Sequence, residues 1–119
     1  MITKKMTFLV AIFATVVLSA FAIFAALDGK WVGTTNMDGN DLALTYNFKV
    51  DGDKLTGTAE SPYGVSTIDN GKVSGDMINF STVVNGLEIP QKGKVYADSV
   101  VMNIDVNGNI LHATLKRPK

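Results

Sequence analysis

The chain has 119 residues, no cysteine, one histidine, one tryptophan, and eleven basic against eleven acidic residues, so it carries no formal net charge. The missing cysteine excludes a disulfide framework, thiolate metal sites and an acylated lipobox cysteine. Neither sign of charge clusters along the chain beyond Lys4 and Lys5, which argues against nucleic acid and anionic membrane surfaces as partners.

From Met6 to Leu27 no charged residue occurs, and Leu, Ile, Val, Phe and Ala dominate behind the basic start. That order is an n-region followed by an h-region, so residues 1–26 read as a signal peptide, with Ala20-Phe21-Ala22 the better cleavage site and Phe24-Ala25-Ala26 the poorer one. The apolar run is also long enough to cross a bilayer, which makes an uncleaved signal anchor the alternative. The domain is then expected in the periplasm or outside the cell, touching a membrane only if the segment is retained.

Residues 27–119 read as one all-β domain, because short alternating runs are separated by Gly, Asn and Asp with no sustained helical periodicity. The alternation predicts strands over Lys30–Asn36, Asp41–Val50, Leu55–Ser61, Val65–Val73, Ile78–Val84, Leu87–Val95, Val100–Val106 and Asn109–Lys116. No connection is long enough for a crossover, so neighbours pair antiparallel. Between strands the frame Lys-Val-x-small-Asp-x-apolar occurs at Lys49–Leu55, Lys72–Ile78 and Lys94–Val100, with its valines 23 and 22 residues apart, the length of one hairpin per repeat. The recurring Asp is expected to serve the turn through a left-handed or Asx conformation.

At the other hairpin ends stand Asp38-Gly39, Pro62-Tyr63-Gly64, Asn85-Gly86 and Asn107-Gly108. Two-residue Asn-Gly loops set register. They place Val106 opposite Asn109, Ile104 opposite Leu111, Met102 opposite Ala113 and Val100 opposite Leu115, and likewise Thr82 opposite Ile89 and Phe80 opposite Gln91. A four-residue loop at 51–54 sets Phe48 against Gly57, Tyr46 against Ala59 and Leu44 against Ser61, large against small, as a narrow barrel interior requires. In the fourth strand Ile68 falls out of phase with Val73, and a bulge at Asn70-Gly71 returns it to the core. One-sided strands without covering helices close on themselves, so the expected fold is an eight-stranded up-and-down antiparallel barrel, with a two-sheet sandwich as the alternative.

Gly29-Lys30-Trp31 resembles the Gly-x-Trp opening of streptavidin- and lipocalin-like (calycin-type) barrels, and Leu55-Thr56-Gly57-Thr58-Ala59-Glu60-Ser61 is similar to the streptavidin third strand. The resemblance covers about a third of the domain and implies a small exported barrel open to a ligand. Its biotin chemistry does not carry over. Ser61 matches the family serine, but Ala59 stands at the family tyrosine, Gly33 at the asparagine, and Trp31 has no second tryptophan with which to build an aromatic box. The Gly-Lys-Val-x-Gly-Asp-x-Ile pattern also resembles barrel modules loosely associated with bacterial glycoside hydrolases, an association that assigns no activity.

No catalytic or metal constellation emerges. His112 reads as an exposed histidine opposite Asn103 with Asp105 its nearest acidic neighbour, Glu60 and Glu88 read as outward, and most aspartates belong to turns. Neither a nucleotide cradle nor any other cofactor site is indicated. Trp31 is expected to plug the closed end of the barrel. Tyr46, Ser61, Thr82 and Gln91 are the polar residues that the registers turn inward, and such groups need a partner: one another, a trapped water or a ligand. Tyr63 belongs to the rim opposite the termini. The leading expectation is a non-enzymatic barrel that binds a small apolar or amphipathic molecule through Tyr46, Ser61, Tyr63, Thr82 and Gln91. A packed accessory module acting through its surface is the alternative, and a small hydrolase comes last. Outward Val83, Val101 and Ile110 would suit a homodimer.

Overall fold

Asp38-Gly39, Asn85-Gly86 and Asn107-Gly108 each hold two consecutive positive φ angles, 53° and 85°, 52° and 80°, 54° and 92°. These are the type I′ turns whose twist matches that of the strands they join. The computed structural model describes residues 27–119; the segment read as a signal peptide or anchor lies outside the described residues. The strands are β1 (Gly29–Met37), β2 (Asn40–Asp51), β3 (Lys54–Ser61), β4 (Gly64–Thr67), β5 (Asp69–Ser74), β6 (Met77–Val84), β7 (Leu87–Val95), β8 (Ser99–Val106) and β9 (Asn109–Lys116). Each pairs antiparallel with its sequence neighbour, apart from β4 and β5, which follow one another along a single stave. The additional pairing of β1 with β9 closes the sheet. The result is a closed eight-stave meander barrel and not a sandwich.

Registers follow the turns. Val106 pairs with Asn109, Ile104 with Leu111, Met102 with Ala113 and Val100 with Leu115; Thr82 pairs with Ile89 and Phe80 with Gln91; Phe48 pairs with Gly57 and Tyr46 with Ala59. The β2–β3 ladder ends at Thr45–Glu60, one step short of Leu44 and Ser61. At Gly57, φ is 137°, and a Cβ there would be driven into the Asn47 carbonyl oxygen, so the strand that faces Phe48 approaches closely only because this residue is glycine.

The fourth stave is broken by a bulge. Register between β5 and β6 shifts between Asp69 and Lys72, Asn70 adopts a φ of 54°, and Ile68 is thereby buried in the core, its N–H donating to the Gly57 carbonyl at 3.0 Å. Above the bulge β4 pairs with β3 alone. Facing β6, it is tied by the Ser66 hydroxyl, which donates to the Val83 carbonyl at 3.0 Å.

The repeat has a structural meaning that differs from the expected one. The left-handed residue is the small one, Gly52 (φ 65°) and Gly75 (φ 60°), and not the aspartate, while neither Ala97 nor Asp98 has a positive φ. What the aspartates do is link one repeat to the next: Val73 N–H donates to the Asp53 carbonyl at 2.8 Å and Val95 N–H to the Asp76 carbonyl at 2.7 Å. Asp28 takes the equivalent place ahead of the first repeat with its side chain, accepting from Val50 N–H at 2.7 Å. Together these bonds belt the end of the barrel where the termini lie.

That end is filled. Leu27, Trp31, Leu55, Ile78, Val100, Met102 and Leu115 are buried there with Phe48 and Phe80 above them. Trp31 Nε1 donates to the Leu27 carbonyl at 2.9 Å, and the Arg117 guanidinium lies 4.0 Å from the centroid of the indole ring while donating to the carbonyls of Asp28 (2.8 Å) and Lys30 (3.1 Å). Gly33 lets β1 meet β9, since a Cβ on it would stand 2.7 Å from the Thr114 carbonyl oxygen. Farther along the same seam the Thr35 hydroxyl donates to the His112 carbonyl at 2.9 Å.

Candidate functional site

Halfway up the barrel the packing changes from apolar to polar. Tyr46, Phe48 and Phe80 form an aromatic layer with ring centroids 5.5 to 6.0 Å apart. Tyr46 is the member of that layer that faces a cavity of about 380 Å³, which occupies the end bearing the β1–β2, β3–β4, β6–β7 and β8–β9 turns. The volume falls within the ordinary range of small-molecule sites, roughly 300 to 1,000 Å³.

The floor is a chain of three side chains from three strands. The Tyr46 hydroxyl (β2) donates to Gln91 Oε1 (β7) at 2.7 Å, and Gln91 Nε2 donates to Thr82 Oγ1 (β6) at 3.1 Å. All three are almost completely buried, at 2, 5 and 2% exposure, so each bond is made where an unpaired group would be costly. Burial also pushes the Tyr46 pKa above its ordinary value and keeps the phenol neutral. The trio is internally satisfied, yet each member keeps hydrogen-bonding capacity: the second Gln91 N–H, the Thr82 hydroxyl proton and the lone pairs of the Tyr46 oxygen.

Apolar side chains make the wall, with Leu42 and Leu44 from β2, Val84 and Ile89 from the β6–β7 hairpin, and Ile104, Val106 and Leu111 from β8 and β9. Ser61 and Tyr63 are at the rim. They line the cavity but stand apart from the trio, and Ser61 Oγ accepts from the Tyr63 backbone N–H at 3.2 Å to hold the β3–β4 turn. Tyr63 is exposed. All five residues singled out as inward or rim polar groups therefore line one cavity, and three of them bond to each other. Thr35, Met37 and Ser66 also line it. Thr35 and Met37 could have been found from the alternation that turns Trp31 inward, and Ser66 from its pairing with the inward Ala59. Glu60 lies on the rim of the cavity with an exposed side chain, whereas Glu88 is exposed and not part of the lining.

Elsewhere, His112 is exposed with Nδ1 2.7 Å from Asn103 Oδ1, and Asp105 accepts from Gly108 N–H at 2.9 Å, a turn contact. Among the described residues no three His, Asp or Glu side chains converge to hold a metal ion. Val83, Val101 and Ile110 are exposed on the outer face.

The barrel is similar to the crystal structure of a single-residue mutant of the fluorescent protein UnaG, with a TM-score of 0.54 and 12% identity over 80% of this chain and 98% of that one. At that identity the likeness is one of fold alone, a closed antiparallel β-barrel. No protein-family model matches the sequence, and a search of curated proteins finds no match.

Proposed function

We propose that this protein is an exported, non-enzymatic barrel that holds a small apolar or amphipathic molecule in the cavity, with Tyr46, Thr82 and Gln91 beneath it and Ser61 and Tyr63 at the rim. The single observation that carries the reading is the cavity itself. A chain that fills one half of its barrel with large side chains leaves the other half hollow, apolar in its wall and provided with three buried hydrogen-bonding groups at its floor. Transfer of apolar ligand surface out of water would supply the affinity, at about 25 cal/mol per Å², and the floor would set orientation. The N-terminal segment would bring the domain to the periplasm or the exterior, or tether it there as an anchor.

The test is native mass spectrometry of the protein expressed as the full chain and recovered from its own export route. A bound small molecule that is lost on collisional activation and absent from Ala59→Phe, a substitution that fills the cavity beside Tyr46, supports the reading. A protein that is empty and takes up no apolar probe overturns it and leaves action through the outer face, where Val83, Val101 and Ile110 are exposed, as the reading to pursue.

A further inference from the structure

No Lys, Arg or His is among the residues that line the cavity, and none occurs in the four segments that form its mouth, residues 37–41, 60–64, 84–88 and 105–109. Those same segments carry Asp38, Asp41, Glu60, Glu88 and Asp105. The basic side chains gather at the opposite end, where Lys49, Lys54, Lys72, Lys94, Lys116 and Arg117 flank the belt of repeat turns and the termini. The mouth thus carries acidic side chains alone, whereas the opposite end carries both signs, its lysines standing among Asp28, Asp51, Asp53, Asp76 and Asp98.

We propose that the cavity selects amphiphiles without negative charge, and that it prefers a neutral alcohol, amide or carbonyl compound to a carboxylate of the same length. The proposal rests on the reading of the cavity as a binding site and concerns which molecules that site takes. Two orientations are open to an amphiphile, and both disfavour an anion. With its head inward, a hydroxyl or carbonyl meets matching partners in the second Gln91 N–H, the Thr82 hydroxyl and the Tyr46 oxygen. A carboxylate in that position loses its hydration with no cation in the wall to replace it. With its head outward, a neutral group stays in water, whereas a carboxylate sits within the ring of mouth carboxylates and is repelled. A cationic head is excluded inward by the same desolvation and tolerated outward.

Calorimetric titration of the full-length protein with decanol, decylamine and decanoate tests this. Decanol binding reports whether the cavity takes ligand at all, and the ranking reports the selection. The expected order puts decanoate weakest, by about tenfold or more relative to decanol at low salt, and the Glu60→Gln/Glu88→Gln protein, altered only at two exposed side chains, narrows that gap. Decanoate bound as tightly as decanol overturns the selection while the binding reading stands. A gap that the double variant and added salt both leave unchanged overturns the role of the mouth. Failure of all three probes to bind overturns the binding reading itself.

Discussion

Tyr46 and Gln91 join hands across the full width of the barrel. Their strands β2 and β7 are four staves apart in a ring of eight, as far apart as the ring allows, yet the phenol and the amide oxygen are 2.7 Å from each other. The bond is a strut at the level where the filled half ends and the hollow half begins.

Because both partners are buried, removing one leaves the other unpaired. Tyr46→Phe is expected to cost about 1–3 kcal/mol, and Gln91→Leu a similar amount. The double substitution should cost less than the sum by at least about 0.5 kcal/mol, the signature of a direct contact. Urea denaturation of the four proteins measures the cycle, and additive costs would show that the strut contributes nothing as a pair.

The raised Tyr46 pKa has a definite sign in stability. The unfolded chain loses the phenol proton near the ordinary value of 10.0 while the folded barrel retains it. The stabilisation is therefore complete below pH 10 and is lost as pH rises above it, by about 1.4 kcal/mol per pH unit until the folded phenol itself ionises. Unfolding curves between pH 9 and 11, taken for the native protein and Tyr46→Phe, should show the advantage of the native protein shrinking across that window.

Leu27 is 1% exposed and its carbonyl receives the Trp31 indole N–H. Leu27→Ala is expected to cost about 2–5 kcal/mol through the cavity it leaves, visible as a fall in melting temperature. A change under about 0.5 kcal/mol, the range of surface substitutions, would show that the closed end is sealed without it.

Gly33→Ala tests the seam. The added methyl would meet the Thr114 carbonyl oxygen and the Leu115 side chain, 2.7 and 2.9 Å from the ideal Cβ position. Forcing β1 and β9 apart is expected to cost about 1–3 kcal/mol, whereas alanine at Gly39, which has open space around it, should be felt only through its positive φ. Thermal melts of the two variants compare crowding with backbone strain.

Much of this architecture was legible because the residues that encode it act locally. Asn85-Gly86 and Asn107-Gly108 fix register with two positive φ angles, from which the inward positions of Thr82 and Gln91 follow by counting in twos, and the 51–54 loop does the same for Tyr46 on β2. Even the bulge could be placed, because Ile68 out of phase is a misfit that one inserted residue repairs. The remainder depended on contacts that counting does not reach. Leu27 ends an apolar run whose composition speaks of export, so its burial beneath Trp31 has no local signal. The aspartates of the repeat do stand in turns and bends, but their carbonyls also carry a backbone bond from one repeat to the next, spanning 19 to 20 residues between Asp53 and Val73 or Asp76 and Val95, which no local signal reveals. The hollow half was not readable either. Alternation says which side chains enter the barrel, but only their packed volumes say where they stop filling it.

The partner that β4 lacks on its β6 side matters outside the single molecule as well. A sheet edge offers unpaired backbone groups to any other chain that arrives, and it is there that strand-to-strand aggregation begins. Among the described strands the open seam is short, lying between β4 (Gly64–Thr67) and the end of β6 beyond Ser81, and the Ser66 hydroxyl already spans it. A protein built this way presents its neighbours with little that could template stacking.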